Sequence, residues 1–118
     1  MEKKFKLRPD QIKTLVSGFG GCFASDRILV DGKKVGYMYR QIPDRKKEYL
    51  DSGWTFMAGD ETQEYADNPN NWANYDVNTI CNYDPEIISM LNAPPNSAFA
   101  RDQKSGSFVK ETFEPPEE

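Results

Sequence analysis

Glycine and proline cut this chain into short segments, at Gly18, Gly20-Gly21, Gly32, Gly53, Gly59, Pro69, Pro85, Pro94-Pro95 and Gly106. That punctuation leaves strands and helices mixed in the order of the chain, without the regular strand–helix–strand repeat of a parallel α/β protein. A start at Lys4 to Leu7 leads to Pro9, a favourable first-turn residue for a helix carrying Ile12, Leu15 and Val16 and ending at Gly18. Gly20-Gly21 opens a strand over Cys22 to Ser25. Asp31-Gly32 is a hairpin signal between Ile28-Leu29-Val30 and Val35 to Tyr39. In the second strand Val35, Tyr37 and Tyr39 share one face.

Residues 41–53 read as a charged loop, and Trp54 to Ala58 as a short strand closed by Gly59. Asp60, with Gln63 three positions on, has the form of a capping box for a helix to about Ala66. Trp72 to Cys81 suits a strand, and Asp84-Pro85-Glu86 starts a helix whose buried face is Ile87, Ile88 and Leu91. Ser97 to Arg101 and Phe108 to Phe113 are late strands around a Lys104-Ser105-Gly106 turn. The expectation is one α+β domain over residues 1–113, with a largely antiparallel sheet, two or three short helices and a frayed acidic tail at 114–118. Seven Phe, six Tyr and two Trp supply the apolar area that a 37% hydrophobic composition otherwise lacks.

The residues behind the early lysines form no apolar run of the ~7–15 residues that an export signal needs. Nor does any window approach the ~18 apolar residues of a membrane span. A cytoplasmic protein with reduced Cys22 and Cys81 is expected. Charge is strongly segregated. Residues 1–50 hold twelve Lys/Arg against six Asp/Glu, and residues 51–118 hold three against thirteen. Between Lys47 and Arg101 there is no basic residue and there are nine acids. Nucleic acid is disfavoured as a partner of that interval, because affinity for phosphate rests on Lys and Arg. Part of the acidity is expected to pair with the basic N-terminal half.

The chain has no histidine, which removes the usual general base, the Ser-His and Cys-His nucleophile pairs and most transition-metal sites. The segment Asp60 to Asp67 offers oxygen ligands but not the spacing of a calcium loop. Gly18-Phe19-Gly20-Gly21 lacks the lysine of a phosphate-binding loop. No catalytic residue, metal or cofactor is expected. Cys22 and Cys81 read as core residues, and so does Trp54. Trp72, among asparagines, reads as the surface tryptophan. Aromatics beside carboxylates suit a protein-binding surface, so Asp51, Asp60, Glu61, Glu64, Asp67 and Trp72 are the candidate partner-binding residues. A small-molecule-binding or regulatory module is the alternative reading, and the oligomeric state stays open.

Four stretches carry a resemblance: Gly21-Cys22-Phe23-Ala24-Ser25-Asp26 leading to Val30-Asp31-Gly32; Val35-Gly36-Tyr37-Met38-Tyr39-Arg40; Asp51-Ser52-Gly53-Trp54-Thr55-Phe56 with Gly59-Asp60-Glu61; and Asn78-Thr79-Ile80-Cys81-Asn82-Tyr83-Asp84-Pro85. In that order they resemble a bacterial family first catalogued as a domain of unknown function. The family was later grouped with the immunity proteins of polymorphic toxin systems, as immunity protein family thirty-three. The resemblance spans roughly residues 4–101, with Gln41 standing where an acid is expected. It implies a protein made with a toxin and holding it inactive by tight binding. It carries over no catalytic residue. An acidic inhibitor would then face a basic toxin, with no nucleic acid or membrane partner.

Overall fold

The structure, a computed structural model, describes residues 3–46, 48 and 50–111. Strands β1 (Gly21–Ser25), β2 (Tyr37–Arg40), β3 (Asp51–Met57), β4 (Trp72–Asp76), β5 (Ser97–Arg101) and β6 (Phe108–Glu111) form one sheet in the order β4-β1-β3-β2-β5-β6. The β1–β3 pair is parallel, and the other four are antiparallel. Three short helices, α1 (Asp26–Leu29), α2 (Gln63–Asp67) and α3 (Val77–Tyr83), and 3₁₀ turns at Pro9–Gln11, Pro69–Asn71 and Pro85–Met90 complete the described chain. The α+β class and the largely antiparallel sheet are as expected. Residues 114–118, expected as a frayed tail, lie outside the described residues, as does the end of the last strand.

Local chemistry explains most boundaries. The Ser25 hydroxyl accepts the Arg27 amide and converts the end of β1 into α1, so the expected Ile28–Val30 strand and its hairpin do not form. Gly32 still makes a turn, its amide bonding the Ile28 carbonyl, but as the exit from α1. Asp76 caps α3 through the Asn78 amide, which ends the expected Trp72–Cys81 strand at Asp76. Asp84 caps the Pro85–Met90 turn as its sequence signature indicates.

The expected helix from Pro9 to Gly18 is a single 3₁₀ turn. Beyond Gln11 the backbone is held by side-chain amides instead of by helical bonds. Asn78 Oδ1 accepts the Leu15 and Val16 amides, and the Asn78 and Asn82 side chains both donate to the Lys13 carbonyl. Two glycines permit close backbone crossings elsewhere. A side chain on Gly53 (φ +83°) would meet the Gln41 carbonyl oxygen at 2.1 Å, and one on Gly36 would meet that of Ala58 at 2.0 Å. These crossings lie just beyond the two ends of the regular β2–β3 pairing, which runs from Tyr37 paired with Met57 to Arg40 paired with Trp54.

The core lies on one face of the sheet. Cys22, Ala24, Met38, Trp54 and Phe56 pack there against Ile28 and Leu29 of α1, Val77, Ile80 and Cys81 of α3, and Ile87 and Leu91. Trp54 is 1% exposed, as expected, and its Nε1–H donates to the Leu91 carbonyl at 3.2 Å. Cys22 and Cys81 are both buried and free. Arg40 lies over the Trp54 ring and donates to the Leu91 and Ala93 carbonyls, so its charge points into this layer.

Candidate partner-binding surface

The two sides of the sheet are covered unequally, and strand alternation decides which side chains lie where. Register places Phe23 beside Thr55 and Asn74, Tyr39 beside Thr55 and Ala98, and Tyr37 beside Met57 and Ala100, all on the side away from the core. Val109 pairs with Ala100, and Glu111 with Ala98. Trp72, paired with Ser25, belongs to this side as well. No described strand residue sharing this face is Lys or Arg. The cations of the neighbouring positions turn the other way: Arg40 toward Leu91, and Arg101 toward Asp84 at 2.5 Å. Phe23 remains 40% exposed and Val109 51%, while Tyr37, Tyr39 and Met57 are half-buried.

Among the described residues, only the Trp72 corner of this face is capped by helix. The Trp72 Nε1–H donates to the Ala66 carbonyl at 3.0 Å, and the Arg27 guanidinium sits over the Tyr65 ring at 4.5 Å. These contacts pin α2 above the Ser25–Trp72 end. Phe23 and Trp72 stack beneath it, with ring centroids 5.3 Å apart.

The fold uses the acids of the central interval in different ways. Asp60 is not the cap of α2. That position belongs to Thr62, whose hydroxyl accepts the Tyr65 amide. Asp60 instead pairs with Lys33 and lies 3.6 Å from the Arg27 Nε, and the Lys33 hydrogen bond holds its carboxyl below the usual range. Glu61 folds back to accept the Ala58 and Gly59 amides at 2.8 and 2.9 Å, fixing the turn after β3. Asp84 and Glu86 are consumed by Arg101, and Glu86 also by Lys34. Glu64 and Asp67 are exposed on α2, with Asp67 accepting from Gln63. Asp51 sits at the start of β3, the far end of that strand from Asp60 to Asp67, and accepts the Asp44 and Gly53 amides.

The six expected residues therefore do not make one patch. Glu64 and Asp67 are available together, Asp60 and Glu61 shape the turn that carries α2, and Asp51 is remote from them. Trp72 corrects the expectation of an exposed tryptophan. It is only 9% exposed, because Phe23 and the α2 backbone cover it. The residues that sequence reasoning passes over are Phe23, Tyr37, Tyr39 and Val109. The shared face of Tyr37 and Tyr39 is visible in their alternation, but Val35, expected with them, precedes β2 and is buried in the core, and the alternation does not tell which side of the sheet the core takes.

Among the described residues no group of three or more Cys, Asp or Glu could hold a metal ion. Burial pushes the Cys81 thiol up to about 11 and Cys22 higher still, which makes both poor nucleophiles. A groove lined by Lys33, Tyr37, Met57, Asp60, Gln63 and Arg101 separates α2 from β5, and it is open to solvent. A family model described as the Immunity protein Imm33 domain matches residues 22–112, more than half of the chain. No curated protein and no solved structure matches it.

Proposed function

Because the chain belongs to the Imm33 family of immunity proteins, we propose that it is a non-catalytic inhibitor that neutralises a cognate protein toxin by direct binding. The observation that carries this reading beyond the family is the base-free interval folded into β3, α2, β4 and β5. It leaves Glu64 and Asp67 exposed beside a sheet side whose described strand residues include no Lys or Arg, the nearest cations, Lys33 and Lys34, lining the groove next to Tyr37. A toxin with a basic surface would be drawn to that side electrostatically, with an association rate that falls as salt rises. Open grooves favour a protein over a small ligand, which an enclosed cavity would suit better. No helix among the described residues is long and apolar enough to cross a membrane, in keeping with an inhibitor acting in the cytoplasm of the cell that makes the toxin.

The test uses the toxin domain encoded beside the gene, purified in an inactive form. Association is measured at low and high salt for the native chain and for a Glu64→Lys, Asp67→Lys double variant. The double reversal is expected to slow association about tenfold or more at low salt and to flatten the salt dependence. An unchanged rate would remove α2 from the interface. Absence of any complex would remove neutralisation by direct binding.

A further inference from the structure

We infer that the groove between α2 and β5 is the anchor seat of the inhibitory interface, and that it takes one large, uncharged apolar side chain projecting from the toxin. The inference rests on the neutralisation reading and gives it a seat that the charge distribution does not supply.

Register builds the floor of the groove. Met57, Tyr37 and Ala100 are successive cross-strand partners on β3, β2 and β5, so they stand in one row, all three half-buried. Gln63 and Ala66 bring α2 against this row. The groove encloses about 740 Å³, room for a large side chain and the backbone on either side of it. It is built before any partner arrives. The Glu61 carboxylate holds the Ala58 and Gly59 amides, Lys33 ties down Asp60, and the Trp72 and Asn71 side chains donate to the Ala66 and Tyr65 carbonyls of α2. A partner therefore meets a formed seat, and little ordering cost is set against binding. Met57, unbranched and polarisable, adapts the floor to the shape placed on it.

Charge selects the occupant. The ionised residues lining the groove are Lys33, Lys34, Asp60, Glu61 and Arg101, and each is already engaged within the chain. Lys33 pairs with Asp60 and Lys34 with Glu86, while Glu61 gives both oxygens to backbone amides. Arg101 donates to the Asp84 and Glu86 carboxylates and to the Val35 and Gly106 carbonyls, and it lies over the Phe108 ring. Just outside, Arg27 is matched by Asp31, and Asp102 and Lys104 flank Gln103 with one charge of each sign. A charged side chain placed here would have to break one of these pairs to gain its own. An apolar side chain covers the floor and leaves them intact. A second copy offers Ile42 and Leu50, the most exposed of its described large apolar side chains, only from a loop that also carries Asp44, Arg45, Lys46 and Glu48. The seated side chain then sets the lifetime of the complex, while Glu64 and Asp67 on α2 govern how fast it forms.

The experiment uses the full chain and the inactive toxin domain encoded beside the gene. Cys22 and Cys81 are buried, so Gln103→Cys, at an exposed position of the lining, carries the one readily accessible thiol. A benzophenone maleimide on that thiol should cross-link to the toxin beside a Phe, Tyr, Trp, Leu, Ile or Met. Truncating that toxin side chain to Ala is expected to weaken binding about 30-fold or more, chiefly through faster dissociation and by the same factor at low and high salt. Ala100→Phe fills the groove from β5 and Ala66→Leu from α2, so that one misfolded variant does not decide the test. Each should match that loss, and each should add little to the toxin truncation when combined with it. Leu15→Lys, on the segment clamped to α3, should leave binding unchanged. Full affinity in the filled variants would overturn the inference, and so would an anchor that proves to be Lys, Arg, Asp or Glu. A cross-link that stays within the chain, or joins two copies, when toxin is present would overturn it as well. A complex that ignores the filled groove but weakens on reversal of Glu64 and Asp67 would sink this seat and leave neutralisation standing. No complex at all would sink the neutralisation reading itself.

Discussion

Asp84 is the residue where sequence and structure give different magnitudes for the same substitution. As a helix-start cap alone, Asp84→Ala would cost about 1 kcal/mol. The structure gives the side chain two further tasks while leaving it fully buried. Oδ2 accepts the buried Val35 amide at 3.1 Å and receives the Arg101 Nη2 at 2.5 Å, while Oδ1 accepts the Glu86 amide at 3.1 Å. Truncation strands the Val35 N–H, at about 1–3 kcal/mol for an unsatisfied buried donor. It also takes from Arg101, itself only 16% exposed, its buried carboxylate. Breaking a buried pair by removing one partner costs roughly 3–5 kcal/mol, here moderated because Arg101 keeps Glu86 at 2.9 Å and the Gly106 carbonyl. These effects overlap, so the expected total is about 3–5 kcal/mol. Asp84→Asn, which keeps an acceptor for the Glu86 amide but loses the charge, should fall between, at about 1–3 kcal/mol. Urea unfolding of the two variants and the native chain, compared at a common slope, measures this directly. A loss of only about 1 kcal/mol for Asp84→Ala would mean that the carboxylate acts as a cap and no more.

Trp54→Ala should cost about 3–5 kcal/mol, since the ring is 1% exposed and its N–H bonds the Leu91 carbonyl; near-native thermal stability would refute its place at the core. Cys22 and Cys81 should resist a thiol reagent such as DTNB until the chain is unfolded, because both are buried with raised pKa values; rapid reaction of the native protein would contradict this. Tyr75 is pushed from 10.0 to about 12, chiefly by burial, and Cys81 from 9.0 to about 11 by the same cause. Raised values mean that the folded state holds these protons more tightly than the unfolded chain. Their contribution is therefore complete below pH about 9 and is lost as pH climbs to about 12, a fall that denaturant midpoints across that range would reveal or exclude. Asn78→Ala should expose residues 12–16 to faster amide exchange while costing about 1–2 kcal/mol globally; unchanged exchange at Leu15 and Val16 would show that the amide clamp is not what holds them.

How far the fold is legible in the sequence depends on the range of the interactions that decide each element. Asp84-Pro85-Glu86 is a local signal, and its cap forms as written. The late strands around Gly106 also form where they are described, Ser97–Arg101 and Phe108–Glu111, because turn and alternation lie within one short window. Ile12, Leu15 and Val16 satisfy helical spacing, yet their backbone is claimed by Asn78 and Asn82, far along the chain. Four-residue α1 is too short for periodicity to register, and its decisive feature is one hydroxyl, that of Ser25. The parallel β1–β3 pair has no local signature at all. In the candidate surface, exposed acids are recognisable as a class, but not which of them the fold uses internally. Asp60 and Glu61 differ from Glu64 only through the turn after β3, which the sequence does not reveal. Trp72 reads wrongly as a surface residue because its polar sequence neighbours say nothing about Phe23, which covers it from another strand.

The strand order has a consequence for how the protein comes into being. β1 begins at Gly21, yet both of its partners, β3 and β4, follow much later in the chain, and β2 waits for β5 at Ser97. Such a topology has high contact order, so loop-closure entropy must be met before pairing returns anything, and folding belongs to the slower range of small domains. On the ribosome, the middle of the sheet stays incomplete until β5 has emerged. The four strands β4-β1-β3-β2 have all emerged by Asp76, so a chain shortened there already holds two thirds of the sheet, and β5 and β6 close its remaining edge last.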